Sequence, residues 1–187
     1  MTCNHTQEHV TPPASAIGLH IKGALRATML IGMICISAPA AAVDGCKVLL
    51  CLAAPNWRAI PQCVPTINQL LHDLSRGRPF PTCSMSGAGN TAANQWASAP
   101  DNCPPQYTHV FDGPNGPIYS CNYTGAVAVN IDGSLWARTW WNMGGESVTE
   151  YTPAAKARLT TWDTRFEDDY AVWLAITPPP ALPCSTC

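Results

Sequence analysis

Cysteine is the residue type with the clearest chemistry in this sequence. The chain of 187 residues contains ten cysteines, and thiols at that density form disulfides, bind metals or take part in redox reactions. Eight of them follow residue 42, namely Cys46, Cys51, Cys63, Cys83, Cys103, Cys121, Cys184 and Cys187. Their irregular spacing lacks the second close pair, or the nearby histidines, that a zinc site needs. We therefore predict a disulfide framework without a bound metal, and the pairing stays open.

The last two cysteines form the motif Cys184-Ser185-Thr186-Cys187, which has the spacing of a redox-active pair. A thioredoxin-type site places this motif at the start of a helix, where the helix dipole lowers the thiol pKa. Here a proline-rich stretch precedes the motif, and no helix-forming sequence follows it. We expect structural disulfides at these positions, and a thiol–disulfide oxidoreductase is an alternative function.

The compartment follows from the first 42 residues, which have the pattern of an export signal. Basic residues precede an apolar stretch at 27–37, and the small residues APAAA follow at 38–42. The apolar stretch is interrupted by Pro39 and is shorter than the about 20 residues that span a bilayer. We predict cleavage after Ala42, release into the periplasm, and membrane contact only through the signal before cleavage. An uncleaved membrane anchor is the alternative.

Acid–base and nucleophilic chemistry has few candidates behind this leader. His72 and His109 are the two histidines there, and no G-x-S-x-G nucleophile motif occurs. Glu167, Asp168 and Asp169 are contiguous, and on a helix such residues spread around the surface instead of facing one groove. We therefore expect no enzymatic activity and no cofactor.

Tryptophans are the second group of residues with binding chemistry. Trp136, Trp140 and Trp141 lie on one predicted strand, SLWARTWWN, together with Arg138. Indole and guanidinium groups are enriched where proteins bind each other, and indoles also stack on sugar rings. Because successive strand residues point to opposite faces, we expect Trp140 or Trp141 to be exposed in a two-layer domain. These four residues form the predicted interaction surface.

Composition limits the size and the partners of the protein. The length suits one domain, and 18 prolines, 13 glycines and only 12% charged residues predict many turns and irregular connections. Disulfides stabilise connections of this kind. The formal net charge of -2 gives no reason to expect a polyanionic partner, so we expect no nucleic-acid binding.

The elements that position these residues begin with a helical, cysteine-rich part at 43–104. A helix is predicted at 44–53, between an aspartate cap and a proline. Positions five apart lie roughly 140° apart around a helix, so Cys46 and Cys51 point in different directions and should not bond each other. The nearest candidate partners are Cys63 and Cys83.

A second helix is predicted at 65–77, where apolar residues recur at helical spacing. These residues are Ile67, Leu70, Leu71 and Leu74. The following residues, 81–106, are small and polar, and we expect a long ordered loop there with at most a helical turn at 92–97.

The second half of the chain has a strand pattern. Alternating runs, YSCNYTGAVAVNID and SLWARTWWN, predict an antiparallel hairpin within 119–151 that turns at Asp132-Gly133. SVTEYT adds a third strand and makes a meander. A helical tail follows at 152–177, with predicted helices at 153–162 and 163–176.

These elements predict a single mature domain at 43–187 of the α+β class. It is a small disulfide-linked domain with two N-terminal helices, an antiparallel hairpin or meander, and C-terminal helices. The Pro/Cys-rich end at 178–187 is expected to be extended, because consecutive prolines favour the polyproline conformation.

The cysteine placement resembles that of a known family. CKVLLCLA, QCVPTINQLLHDL and DNCP, behind an export signal, resemble the signature of the TrbM/KikA family of conjugal transfer proteins over Cys46 to Pro104. The resemblance implies a periplasmic accessory component of type IV secretion and mating-pair formation, which binds other secretion-system proteins. It brings no catalytic residues. The insertion at 75–100 and the β-rich part after Cys121 depart from the family pattern.

The tryptophans and scattered carboxylates keep one alternative function open. A secreted cell-wall hydrolase or carbohydrate-binding domain also uses exposed indoles and acidic groups. The lack of a clear acid–base pair in the sequence argues against the hydrolase.

Overall fold

The structure, a computed structural model, describes residues 43–177. The described chain contains four α-helices, Gly45–Ala53 (α1), Cys63–Ser75 (α2), Pro153–Lys156 (α3) and Arg165–Ile176 (α4). Its six strands are Thr91–Trp96 (β1), Thr108–Gly113 (β2), Gly116–Cys121 (β3), Gly125–Ile131 (β4), Ser134–Trp141 (β5) and Ser147–Tyr151 (β6). Short 3-10 helices lie at Trp57–Ala59 and Pro105–Tyr107. The predicted α+β class is confirmed.

A four-stranded antiparallel sheet with the order β1-β4-β5-β6 is the centre of the fold. The predicted hairpin is formed by β4 and β5, and Asp132 and Gly133 at its turn have φ angles of 52° and 77°. Such positive φ angles are what a tight two-residue hairpin turn requires, and Asp-Gly tolerates them. The predicted third strand is β6, so the meander is also confirmed.

The fourth strand of the sheet corrects the prediction of a loop at 81–106. Residues 91–96 form the edge strand β1, which pairs with β4 over its whole length, and no helical turn occurs at 92–97. The sequence TAANQW has few β-branched residues. Its strand conformation comes from the exposed edge of β4, since strand propensity depends strongly on the available pairing partner.

The first face of the sheet carries Val127, Val129 and Trp141 and packs against α1 and α2. The apolar stripe predicted for α2 is confirmed, because all four of its members are buried: Ile67, Leu70, Leu71 and Leu74. The cap predicted for α1 is also present, since the Asp44 carboxylate accepts hydrogen bonds from the first turn of α1. Burial of one helix face against one sheet face makes this the larger hydrophobic core.

The second face of the sheet carries Ala126, Trp140 and Val148. Tyr107 of the 3-10 helix and Phe166 of α4 pack on these residues, so the second face is also covered. The sheet therefore lies between two layers, and the expectation of a two-layer domain is wrong. The missed layer starts in the region that was predicted to be a loop.

The C-terminal helices differ from the prediction in their lengths. The helix predicted at 153–162 is a single turn, α3, which Thr152 caps through a hydrogen bond from the Ala155 amide. The chain then runs irregularly to α4, where the predicted helix begins at Arg165 instead of 163. The β-branched Thr160 and Thr161 disfavour a helix over the last part of the predicted segment.

Strands β2 and β3 form a separate two-stranded hairpin, which we call the arm (Thr108–Cys121). The sequence predicted one strand from Tyr119 into the main sheet, but Tyr119 belongs to the arm and β4 starts only at Gly125. Residues 122–124 join the two sheets, since the Asn122 amide donates to Tyr107 and the Thr124 amide to Trp141. These bonds to different elements interrupt the strand.

Three disulfides connect the described elements. They join Cys46 to Cys83, Cys51 to Cys63, and Cys103 to Cys121. Cys46 and Cys51 therefore bond different partners, as the helix geometry predicted, and the third disulfide closes the base of the arm. These bonds place the protein in an oxidising environment outside the reducing cytoplasm.

The remaining leader and cysteine predictions fall on other residues. Cys184, Cys187, the predicted signal and its cleavage site lie outside the described residues. Within residues 43–177 no helix is long and apolar enough to cross a membrane.

Candidate functional site

The predicted interaction surface contains two tryptophans that the fold buries. Trp140 is 3% exposed and Trp141 is 0% exposed, so the expectation that one of them lies at the surface is wrong. The physical reason is the second layer: Trp141 points to α1 and α2, and Trp140 points to Tyr107 and Phe166. Neither indole offers an open ring face to a partner.

Trp136 and Arg138 complete the predicted surface and lie in different environments. Trp136 is the unpaired residue of a β-bulge between β4 and β5, and its indole nitrogen donates to the Ala53 carbonyl at 3.0 Å. A bulge redirects a side chain, here toward the end of α1. Arg138 remains partly exposed on the second face. The fold thus does not bring the four predicted residues together into one platform.

Arg138 and Trp140 instead belong to a groove on the second face. The groove has a volume of about 440 Å³ and lies between the 101–106 segment, strands β5 and β6, and α4. The residues that line it and carry its chemistry are Asp101, Gln106, Arg138, Trp140, Glu150, Phe166 and Tyr170. This volume is within the about 300–1,000 Å³ typical of small-molecule pockets.

Glu150 organises the polar side of the groove. Arg138 and Glu150 face each other across β5 and β6, with 3.6 Å between Arg138 Nη1 and Glu150 Oε2. The same carboxylate oxygen accepts a hydrogen bond from the Trp140 indole at 3.1 Å. The other oxygen, Oε1, makes no such bond among the described residues.

Gln106 lines the groove at the 3-10 helix. Its amide nitrogen and oxygen are both buried, and neither has a hydrogen-bond partner among residues 43–177. A buried amide without partners costs about 1–3 kcal/mol, so a bound group that both donates and accepts would relieve this cost.

The arm is the second candidate surface. Val110, Phe111 and Ile118 are each more than half exposed, at 58%, 56% and 54%, and Tyr119 is 41% exposed. In the register of the arm, Val110 pairs with Tyr119 and Phe111 pairs with Ile118. Since neighbouring residues of a strand point to opposite faces, each face of the arm carries one of these apolar pairs.

The base of the arm is held in place by covalent and polar contacts. The Cys103–Cys121 disulfide crosses it, and a His109 ring nitrogen lies 2.7 Å from the Asn122 side-chain oxygen. The sequence contains a signal for this hairpin that the prediction missed. THVFDG and PIYSC are short apolar runs around a Gly-Pro-Asn-Gly turn, which is a typical hairpin connection.

The candidates for catalysis lie apart in the fold. His72 is on α2 and His109 is on the arm. The three contiguous carboxylates of α4 contact different partners, as expected of neighbours on a helix: Glu167 pairs with Lys156, Asp168 accepts from Thr164, and Asp169 accepts from Tyr107. No group of three or more metal-ligating side chains occurs within the described residues.

Two charged or polar clusters attach α4 to the rest of the domain. The Arg165 guanidinium donates several hydrogen bonds to the Asp163 carboxylate, and Arg58 Nη1 lies 3.9 Å from Asp163 Oδ2. The hydrogen bonds from Arg165 lower the pKa of the Asp163 carboxyl. Burial, together with the hydrogen bond to Asp169, raises the pKa of the Tyr107 hydroxyl. Both clusters keep α4 in position beside the groove.

Comparison with protein-family models, with curated proteins and with solved structures gave no match. Within residues 43–177, the arm and the groove both combine accessibility with chemistry that can bind a partner.

Proposed function

We propose that this chain is an exported accessory component of a conjugative type IV secretion and mating-pair formation system. It acts in the periplasm by binding other proteins of that system. The secretion system is proposed from the resemblance of residues 46–104 to the TrbM/KikA family. The observation that carries the binding role is the arm, whose apolar side chains are exposed on both faces.

The arm supports protein binding because its exposed side chains have no use in an isolated domain. Soluble monomers rarely leave contiguous large apolar side chains in water, and such patches mark interaction sites. Aromatic and branched aliphatic groups together bury large areas at a protein contact. A two-stranded hairpin is also only marginally stable alone, so a partner that covers it stabilises it as well.

The disulfides prepare the arm for binding. The Cys103–Cys121 bond fixes the end of the arm to the segment before the 3-10 helix, which packs on the second face of the sheet. A contact surface that is ordered before binding loses less conformational entropy when the complex forms. The periplasm, as an oxidising compartment, allows these bonds to form.

Gene deletion and complementation test this function. Deletion in a conjugative host should lower the transfer frequency, and the wild-type gene should restore it. Complementation with Phe111→Ser plus Ile118→Ser should leave transfer at least about tenfold below wild type, because one apolar pair of the arm is lost. Leu50→Ser is the matched control, since Leu50 is 73% exposed on α1 and lies outside the arm.

Photocrosslinking from position 111 then identifies the partner directly. A crosslink to a secretion-system protein, lost when the crosslinker is moved to position 50, is the expected result. Undiminished transfer after gene deletion would contradict the conjugation role. Full complementation by the arm variant would remove the arm from it.

The export step has its own test. Protein purified from the periplasm should begin at Val43 and contain no titratable thiol after denaturation without reductant. A cytosolic product with reduced cysteines would contradict export.

A further inference from the structure

We propose that the groove binds a hydroxyl-rich saccharide that carries an acetamido group. This binding is separate from the proposed conjugation function, because it uses the second face of the sheet and none of the side chains of the arm. The inference rests on the polar groups of the groove, its aromatic wall and the unpaired amide of Gln106.

The groove carries several hydrogen-bond acceptors that have no partner among residues 43–177. Its acceptors include the free Glu150 Oε1, the exposed Asp101 carboxylate and the side-chain oxygen of Asn102. The Asn102 amide nitrogen already donates to the Trp96 carbonyl at 2.8 Å, and the Trp140 indole nitrogen donates to Glu150. Arg138, the Gln106 amide and the Tyr170 hydroxyl are the remaining donors. A ligand that satisfies the free acceptors must itself donate several hydrogen bonds, as sugar hydroxyls do.

The aromatic wall provides the apolar half of such a site. Tyr170 is 40% exposed in the groove, and its ring stacks on Trp173 with 5.6 Å between centroids. Phe166 lies one turn earlier on the same helix and also lines the groove. A sugar ring has an apolar face of C–H groups and an edge of hydroxyls, so it fits a groove with one aromatic wall and one acceptor-rich wall.

Gln106 indicates which sugar substituent is bound. Its amide has one donor group and one acceptor, both without partners among residues 43–177. An acetamido group presents the complementary acceptor and donor. Pairing of this kind would relieve the cost of the unsatisfied amide.

A proline-rich peptide is the competing occupant, because such peptides bind aromatic-lined grooves. Proline has no backbone N–H, so such a peptide brings few donors for the free Glu150 Oε1 and the Asp101 carboxylate. The free acceptors of the groove therefore favour the saccharide.

Calorimetric titration of the periplasm-purified protein tests the proposal. The probe is tri-N-acetylchitotriose, with cellotriose and a proline-rich decapeptide containing one arginine as comparison ligands. We expect binding of the acetylated sugar and at least about tenfold weaker binding of cellotriose, because cellotriose lacks the acetamido groups.

Two pairs of variants place the ligand in the groove. Tyr170→Ala should weaken binding at least about tenfold, whereas Tyr119→Ala should not change it. Tyr119 is the matched control because it is 41% exposed and lies on the arm. Asp101→Asn should also weaken binding, and the exposed Asp101 side chain makes no hydrogen bond or ion pair within residues 43–177 whose loss would disturb folding. Asp112→Asn on the arm is its control.

The outcomes separate the two proposals. No saccharide binding, or binding of the decapeptide alone, would overturn the inference. Equal affinity for both sugars would overturn the acetamido preference, and binding unaffected by Tyr170→Ala and Asp101→Asn would overturn the location. None of these results bears on transfer frequency, and normal transfer with Tyr170→Ala would leave the saccharide site intact.

Discussion

The two faces of the central sheet are covered in different ways. The first face is closed by α1 and α2, and its core includes the buried Val127, Val129 and Trp141. The second face is covered in patches by the 3-10 helix and α4, and the groove of about 440 Å³ remains beside them. One face therefore supplies most of the apolar burial, and the other supplies accessible chemistry.

Adjacent residues of β5 show the difference directly. The Trp141 indole donates to the Asn94 side chain at 2.8 Å, a bond that joins β5 across β4 to the edge strand β1. The Trp140 indole donates to Glu150 in the wall of the groove. Both side chains are buried, but the first hydrogen bond connects elements of the core and the second orients a carboxylate that faces solvent.

Replacement of one aromatic residue on each face should have the largest effect. Trp141→Ala should lower the free energy of unfolding by about 3–5 kcal/mol, because it leaves a cavity in the larger core. Phe166→Ala should cost about half as much, since Phe166 is only partly buried. Urea unfolding at neutral pH measures both values. Equal losses would contradict the contrast between the two faces.

Removal of individual disulfides should have the next largest effect. Cys51→Ser plus Cys63→Ser opens a link of 12 residues within the helical layer and should cost about 2–3 kcal/mol. Cys103→Ser plus Cys121→Ser opens a link of 18 residues at the base of the arm. The loop-closure entropy that this disulfide removes from the unfolded chain is similar to that of the first disulfide. The released segment, however, includes the arm, which contributes little to the core.

Unfolding curves and proteolysis distinguish the two disulfide variants. The Cys51/Cys63 variant should lose global stability, whereas the Cys103/Cys121 variant should first become sensitive to protease cleavage within the arm. Protease resistance of the arm in the second variant would show that its packing, and not its disulfide, holds it in place.

Much of the first face could be predicted from the sequence. The repeat of Ile67, Leu70 and Leu74 specifies the buried side of α2, and the angle between Cys46 and Cys51 on α1 excludes a bond between them. These are local, periodic signals. The Asp132-Gly133 turn is of the same kind, because its residue types require the backbone angles that the hairpin needs.

The second face depended on contacts between distant residues and could not be predicted in the same way. β1 is a strand because β4 has a free edge, not because of its own propensities. The burial of Trp140 depends on Tyr107, which lies between β1 and β4 in the chain, and on Phe166, which follows β6. Alternation along β5 indicates only that Trp140 and Trp141 point to opposite faces. It does not indicate how many of those faces are covered.

Acidification provides a smaller and more specific test of how α4 is attached. Asp163→Asn should lower the free energy of unfolding by about 1–2 kcal/mol at pH 7, because it removes the charged acceptor of the hydrogen bonds from Arg165. Hydrogen bonds from Arg165 lower the pKa of Asp163 in the folded protein. This contribution is therefore complete above the unfolded pKa, about 3.9, and is lost as the pH falls through the lower folded value.

Urea unfolding at pH 7, 4.5 and 3 checks the sign of this effect. The difference in stability between wild type and Asp163→Asn should be largest at pH 7 and should shrink toward pH 3. Asp168→Asn is the control, since Asp168 lies exposed on α4 and accepts its bond from Thr164. A difference that grows on acidification would contradict the assigned role of Asp163.

Substitution in the arm should have the smallest effect on stability. Phe111→Ser plus Ile118→Ser removes two large apolar side chains, but both are more than half exposed and the arm pairs only with itself in the described sheets. The free energy of unfolding should therefore change by no more than about 0.5 kcal/mol, as is usual at the surface. A loss close to that of Trp141→Ala would mean that the arm packs on the core in solution. Unchanged stability together with lost transfer would show that these two side chains serve the contact with a partner and not the folding of the domain.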